Sequence, residues 1–226
     1  MAKLCTANFT SNSTWTAPAG VTKVLLIGHG GGAGGSGGRN TTGWGALGGN
    51  GTVPYMVEID VVPNTTYTIT IGTGGAGGVA QSGTGIKNGG AGGDTIFGSL
   101  YTFYGAPNAW TASTNKAYVV LSPGNIYTTG TGNLAFEKCT ASSGYINTTT
   151  ASNDVGSYLG GGAGAPGWLA GAGGGTGGNG NNSGTGGAGG TGSGRGAGGG
   201  GGGAGSTAGG AGGNGFAGQL QIAWIE

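Results

Sequence analysis

Short stretches of alternating apolar and polar residues recur along the chain, and each of them borders a run of glycine. Residues 66–71 read TYTITI, residues 52–62 read TVPYMVEIDVV, and the last stretch places Leu220, Ile222 and Trp224 at every second position. Alternation rich in β-branched and aromatic residues is typical of half-buried β-strands. The pattern therefore predicts short strands, and no segment shows the 3.6-residue period of an α-helix.

The strands and glycine runs form three copies of one arrangement. Residues 24–62 and 66–100 both read strand, glycine run, polar or aromatic loop, glycine run, strand, and the third, longer copy occupies 159–226. Such recurrence indicates an architectural repeat. We expect a small β-sandwich base, with glycine runs that leave it and return as hairpins.

This organisation predicts three parts of the chain. Residues 1–100 would hold the first strands and glycine hairpins, completed by a strand at 216–226. Residues 101–158 are poor in glycine runs and are interpreted as an insertion of β and loop structure, with short strands in KAYVVL and GYINTTT. Residues 159–215 would form a glycine bundle.

The longest run, 174–200, reads mostly as GGX triplets. A three-residue period favours a polyglycine II helix, which has the extended, three-residue turn of polyproline II and no internal hydrogen bonds. Such helices persist only when packed, because their N–H groups then reach carbonyls of neighbouring helices. The fold class is therefore all-β plus polyglycine II, with a bundle of packed helices and projecting loops. The competing interpretation, a disordered linker, follows from the 65 glycines of the 226-residue chain.

In this bundle the glycines of each GGX triplet occupy the helix edges that pack against neighbouring helices, and residue X occupies the edge that faces outward. The predicted scaffold glycines are Gly31, Gly34, Gly74, Gly77, Gly89, Gly92, Gly177, Gly186, Gly187 and Gly189. The predicted outward X residues are Thr176, Asn179, Thr185, Ala188 and Thr191. Breaks in the triplets at 181–183, 194–195 and 206–208 are the natural turn points.

Composition and charge exclude several classes of protein. Charged residues make up only 6% of the chain and the net charge is +1, so the basic stripe of a nucleic-acid-binding surface is missing. The N-terminal residues lack a signal-peptide pattern and no apolar stretch is long enough to span a membrane. This predicts synthesis in a cytoplasm and release by assembly or lysis. Cys5 and Cys139 lack metal-ligand spacing, and two separate thiols are favoured over a disulfide.

Catalytic chemistry has few candidate residues. His29 is the only histidine, and a packing or polar-contact role is favoured for it. Matches to GxGxxG carry almost no information in so glycine-rich a chain, and the βαβ unit that would hold a dinucleotide is not predicted. We therefore expect a protein that is not an enzyme and that uses neither cofactor nor metal.

The loops between outgoing and returning glycine runs carry the candidate binding residues. They are Arg39, Asn40, Trp44, Gln81, Lys87, Asn181, Asn182 and Arg195. Aromatic, arginine and asparagine side chains on loops of a rigid scaffold are typical of recognition surfaces. For Trp44, as for Trp168, capping of the bundle is an equally good interpretation.

Residues 9–35, 61–78, 88–98 and 209–226 resemble the glycine-rich domain proteins common among bacteriophage tail and fibre components. The resemblance covers 9–100 and 159–226, and rests on FTSNSTWTAPAGVTKVLLIGHGGGAGG and GGAGGNGFAGQLQIAWIE. The glycine runs are also similar in architecture to the polyglycine II distal-tip adhesins of T-even-like phages. The segment 101–158 departs from this pattern.

The resemblance implies a virion protein that attaches the phage to its host through loops on a polyglycine II scaffold. Its partners would be other virion proteins, in a fibre shaft or the capsid, and a host cell-surface glycan or outer-membrane protein. A homotrimer and a monomer on a trimeric fibre both fit. Two alternatives stay open: a purely structural decoration or fibre subunit without receptor binding, and an ice-binding protein that uses a flat threonine-bearing face.

Overall fold

A computed structural model describes residues 2–40, 46, 48–49, 51–52, 54–84, 87–107 and 174–226. All the regular secondary structure in this part of the chain is β-strand, which confirms the predicted all-β class. The strands are β1 (Leu4–Phe9), β2 (Ser13–Thr16), β3 (Lys23–His29), β4 (Tyr55–Asp60), β5 (Thr66–Thr70), β6 (Thr95–Phe97), β7 (Tyr101–Phe103) and β8 (Gln219–Ile225).

The strands form two antiparallel four-stranded sheets that share one core. The first sheet has the order β1-β8-β3-β4 and the second β2-β5-β6-β7. β8, the last strand of the chain, lies between the early strands β1 and β3, with Ile222 opposite both Ala7 and Leu26. The last strand of the chain therefore completes the sheet formed by β1, β3 and β4.

Alternation along the strands places apolar side chains between the sheets. Leu26, Ile222 and Phe97 are fully buried in one cluster that draws on both sheets. Trp15 of β2 meets Trp224 of β8 edge to face, with ring centroids 5.4 Å apart. Among the described residues, the apolar cluster lies in this sandwich, so the glycine runs depend on other interactions.

Eight glycine-rich runs leave and re-enter the sandwich in the described residues. They are run 1 (30–40), run 2 (46–52, with the gaps given above), run 3 (72–80), run 4 (87–94), run 5 (174–181), run 6 (185–193), run 7 (196–205) and run 8 (208–217). Odd-numbered runs lead away from the sandwich and even-numbered runs lead back. The end of the runs next to the strands is called proximal here, and the opposite end distal.

Neighbouring runs are joined by backbone hydrogen bonds at every third residue. In run 1, Gly31, Gly34 and Gly37 donate to carbonyls of run 4 at 2.8 to 2.9 Å, and the following residue of each triplet donates to run 8. Bonded neighbours run both parallel and antiparallel. A three-residue step is what a polyglycine II helix requires. The helix itself stays a prediction, because backbone dihedral angles define it.

The runs approach so closely that most packed positions exclude a Cβ atom. At Gly35, an added Cβ would overlap the carbonyl group of Gly200 on run 7. The predicted scaffold glycines with the same kind of overlap against a neighbouring backbone are Gly31, Gly34, Gly74, Gly77, Gly89, Gly92, Gly186 and Gly189. At Gly187 the nearest atom would be the backbone nitrogen of Asn179 at 2.8 Å, and Gly177 is half-buried.

Runs 1 and 7 form the interior of the bundle. Residues 30–38 and 196–205 are buried, yet most of them are glycine. Run 7 donates through Gly199 to Ala33 of run 1 and accepts from Gly49 of run 2. The interior of the bundle is thus built from backbone groups and their hydrogen bonds.

Most of the predicted insertion lies outside the described residues. β7 falls at its start. The segments KAYVVL and GYINTTT, for which strands were predicted, and the residues Cys139 and Trp168 lie outside the described residues. Cys5 lies half-buried in β1. The prediction of two separate thiols stays a prediction.

Candidate functional site

The turns at the distal end bring together parts of the chain that are far apart in sequence. They comprise residues 39–40, 81–84, 181–185 and 205–208, called the distal turns from here on. Two of the three predicted break points, 181–183 and 206–208, lie here. Because each turn closes a pair of packed runs, the bundle fixes its position.

Backbone hydrogen bonds join the distal turns to one another and to the ends of the runs. Among the bonds that connect different turns or runs are Gly205 N–H to Arg39 O at 3.2 Å, Ser206 N–H to Asn181 O at 3.1 Å, and Gly209 N–H to Gln81 O at 2.8 Å. The distal end therefore forms one connected surface, because its turns bond to each other as well as to their own runs.

Asn40 ties the first turn to the second. Its backbone N–H donates to the Gly83 carbonyl at 3.0 Å, and its side-chain Nδ2 donates to the Ser82 carbonyl at 3.2 Å. Gln81 uses its own amide locally, donating from Nε2 to the Ala80 carbonyl at 2.9 Å. These two predicted contact residues shape the surface through their amide groups.

Asn181 holds the third turn in shape. Its Oδ1 accepts from the Ser183 N–H at 3.0 Å, and its Nδ2 donates to the Thr185 carbonyl at 3.0 Å, which is an Asx-type turn. Thr185 and Thr207 then meet through their hydroxyls at 3.2 Å. Asn182, at the tip of the turn, is exposed. Asn181 therefore orders the turn through its side-chain amide.

Two cationic residues belong to this end of the molecule. Arg39 is half-buried, and its Nε is enclosed without a hydrogen-bond acceptor. Lys87 is exposed, and its carbonyl accepts from Gly37, two residues before Arg39. Lys87 thus lies on run 4, about three residues from the distal turns toward the proximal end.

The structure does not bring Arg195 to the same surface. Arg195 lies in a turn, as its break in the triplets predicts, but that turn is proximal. Its Nη1 donates to the carbonyls of Thr10 at 3.3 Å and Gly218 at 3.4 Å, and its guanidinium lies 5.4 Å from the Phe216 ring centroid. These contacts attach run 7 to the sandwich. Trp44 lies outside the described residues.

Several exposed residues of the distal turns were not predicted as contact residues from the sequence. They are Ser82, Thr84, Ser183, Thr185 and Thr207. The break at 206–208 was interpreted only as a turn, and Thr185 only as an outward X residue. The available signal was the loss of the GGX triplet, which these turns share.

A buried histidine occupies the proximal end of run 1. His29 Nδ1 lies 3.0 Å from the Gly30 carbonyl oxygen and 3.3 Å from Thr52 Oγ1. Gly196 approaches from run 7 with φ of 70°, and a Cβ there would lie 2.7 Å from the imidazole. Burial lowers the pKa of His29, and the positive charge of Arg195 adds to the effect.

This pKa shift predicts a loss of stability in mild acid. In the unfolded chain a histidine has a pKa of about 6.5 and binds a proton below that pH, whereas folded His29 stays neutral. The free energy of unfolding therefore falls as the pH drops below about 6.5, by at most about 1.4 kcal/mol per pH unit. We expect the melting temperature to fall by about 2 to 5 °C between about pH 7.5 and 5.5. A His29→Gln variant should show a smaller fall, and equal falls in the two proteins would contradict the assignment.

Within the described residues, no three side chains of His, Cys, Asp or Glu lie close enough together to hold a metal ion. A groove of about 360 Å³ on the sandwich is lined mainly by apolar residues, and the Lys23 ammonium there pairs with Glu58 at 2.6 Å and Asp60 at 3.7 Å.

The described part of the chain also holds no helix of the length and hydropathy that a membrane span needs.

The fold and the site define a class of protein: an all-β module in which two sheets carry hydrogen-bonded glycine runs with polar turns at their far end. The chain belongs to the glycine-rich domain family, whose model matches residues 6–224. Comparison with curated proteins gives no match. The resemblance noted in the sequence is thus confirmed at the level of this family.

Proposed function

We propose that this protein is a non-enzymatic bacteriophage virion component that attaches the particle to its host through the distal turns. The observation that carries the proposal is the set of hydrogen bonds linking Arg39, Gln81 and Asn181 to residues 205–209. Loops held by a rigid scaffold lose little conformational entropy on binding, which favours recognition. The phage context rests on the sequence resemblance described above.

In this proposal the two ends of the molecule have different roles. The distal turns face the host, where the ligand is a surface glycan or an outer-membrane protein. The sandwich carries exposed apolar side chains, among them Leu4, Met56 and Ile225, and this end would attach to another virion protein of the fibre or capsid. The mature protein would then reside in the virion after synthesis in the host cytoplasm, alone or as a homotrimer.

A matched pair of double variants tests the attachment role. Thr84→Ala with Asn182→Ala removes two exposed polar side chains of the distal turns, whereas Asn179→Ala with Thr191→Ala removes the same types from the side of runs 5 and 6. We expect the distal pair to lower binding of labelled protein to a panel of bacterial strains by about ten-fold, with the side pair unchanged. Melting temperatures of both variants should stay within about 2 °C of the native value, since exposed substitutions have small effects.

Equal binding by native protein and the distal variant would contradict the attachment role. The same holds if no strain in the panel binds native protein above a denatured control. Either result would favour a structural decoration or fibre subunit.

One observation favours an ice-binding protein as the second candidate. All five outward residues, Thr176, Asn179, Thr185, Ala188 and Thr191, are exposed. They lie on runs 5 and 6, which are hydrogen-bonded neighbours through Gly187 to Asn179 and Gly190 to Thr176. Thermal hysteresis in native protein that is lost in the Asn179→Ala, Thr191→Ala pair, but kept in the distal pair, would support this candidate. Absence of hysteresis would exclude it.

A further inference from the structure

The described carboxylates all lie at the sandwich end of the molecule, whereas two of the five described cationic residues, Arg39 and Lys87, lie at the distal end. The carboxylates belong to the sandwich or its junction with the runs: Glu58, Asp60, Glu226 and Asp94. Asp94 directly precedes β6, and its Oδ1 accepts from the Gly105 N–H at 2.7 Å. Lys87 lies seven residues earlier on the same run, about 20 Å away at the rise of an extended three-residue helix. Cationic Arg39 and Lys87 are therefore remote from these carboxylates.

Neither cation is neutralised within the described ranges. The ion pairs found there both involve Lys23, on the sandwich. Arg39 has an enclosed Nε without an acceptor, and leaving such a donor unpaired costs free energy. Arginine presents a planar, permanently charged group suited to carboxylate and phosphate oxygens, and lysine adds a mobile point charge.

The groups around these cations suit a carbohydrate. The exposed side chains of the distal turns are hydroxyls and an amide, namely Ser82, Thr84, Asn182, Ser183 and Thr207. Such groups both donate and accept hydrogen bonds, as sugar hydroxyls do. Large apolar side chains, which would favour a protein partner, are not exposed in the described distal turns, and the exposed apolar residue nearest to them in sequence is Val79, two residues before Gln81 on run 3.

We propose that the distal turns bind an acidic polysaccharide. Arg39 and Lys87 contact its carboxylate or phosphate groups, and the surrounding hydroxyl and amide groups contact its sugar hydroxyls. This proposal rests on the attachment role and narrows the host ligand to a negatively charged glycan. The attraction operates over about 8 Å at physiological ionic strength, so binding weakens as salt is raised.

Three polymers of defined chemistry test the proposal: polygalacturonate for carboxylates, poly(glycerol phosphate) for phosphates, and neutral dextran. We expect native protein to bind one or both anionic polymers more tightly than dextran. Arg39→Gln and Lys87→Gln should each weaken that binding by about five-fold, the upper range for an exposed charge pair. Lys3→Gln, a charge change on the exposed N-terminal residues beside β1, should leave the affinity unchanged.

The outcomes separate this proposal from the attachment role. Equal binding to dextran and both anionic polymers, or equal losses in Lys3→Gln and the distal variants, would overturn the acidic glycan. If the Thr84→Ala, Asn182→Ala pair still lowers cell binding in that case, the attachment role survives alone. If Arg39→Gln and Lys87→Gln weaken binding to only one of the two anionic polymers, that polymer identifies carboxylate or phosphate as the recognised group.

Discussion

Gly35→Ala is expected to lower the melting temperature by about 10 °C or more, or to prevent accumulation of soluble protein. Gly35 lies in the buried run 1, where it donates to Gly213 of run 8 and accepts from Gly78 of run 3. The added Cβ would overlap the carbonyl of Gly200 on run 7. Backbone atoms cannot move aside by changing rotamer, so we expect a cost of about 3 kcal/mol, the upper end for added core volume.

Gly83→Ala is the matched control for this substitution. Nothing lies within 4 Å of the position that a Cβ would take at Gly83, which is exposed in a distal turn. The same chemical change should therefore shift the melting temperature by about 2 °C or less. Thermal denaturation followed by circular dichroism measures both variants. A Gly35→Ala protein as stable as the control would show that runs 1 and 7 do not pack through their backbones.

The strands could be predicted because alternation identifies the buried face of a sheet directly. TYTITI at 66–71 becomes β5, and the alternation of Leu220, Ile222 and Trp224 places all three on the inner face of β8. Sheet order was not predictable in the same way. The pairing of β8 between β1 and β3 depends on contacts between residues about 200 positions apart, which local pattern does not specify.

The glycine triplets predicted the positions of the turns, and the order of the turns along the chain also determines the end at which each turn lies. Successive breaks must alternate between the ends of the bundle, so 181–183 and 206–208 share one end and 194–195 takes the other. The last run leads directly into the strand predicted at 216–226, so 206–208 and 181–183 lie away from the sandwich and 194–195 lies beside it. The grouping of Arg195 with Asn181 did not use this alternation, and the contacts of Arg195 to Thr10 and Gly218 hold it against the sandwich.

The candidate site could be predicted by residue type but not by role. Asn181 was selected as a contact residue, yet its side chain is engaged within its own turn. Thr207 was not selected, although it is exposed beside Thr185. Amide and hydroxyl groups serve equally well in shaping a turn and in binding a ligand. Only the hydrogen bonds distinguish the two uses.

Phe97→Ala is expected to lower the free energy of unfolding by about 3 to 5 kcal/mol, the range for removing a buried phenylalanine ring. Phe97 is fully buried in β6, with its ring centroid 5.0 Å from Tyr67 and 6.0 Å from Trp15. The cavity would weaken the only apolar core in the described residues. A fall in melting temperature of about 10 °C corresponds to that free energy.

The same variant tests whether the sandwich and the bundle unfold together. Runs 1, 3 and 8 continue directly from β3, β5 and β8, and Arg195 attaches run 7 to the sandwich. Loss of the core should therefore release the runs, so that near-ultraviolet circular dichroism and glycine amide protection disappear in one transition. Tyr104→Ala, which removes an aromatic side chain that is 47% exposed, is the control and should be nearly neutral. Protected glycine amides that outlast the aromatic signal would show that the hydrogen-bonded runs are stable without the sandwich.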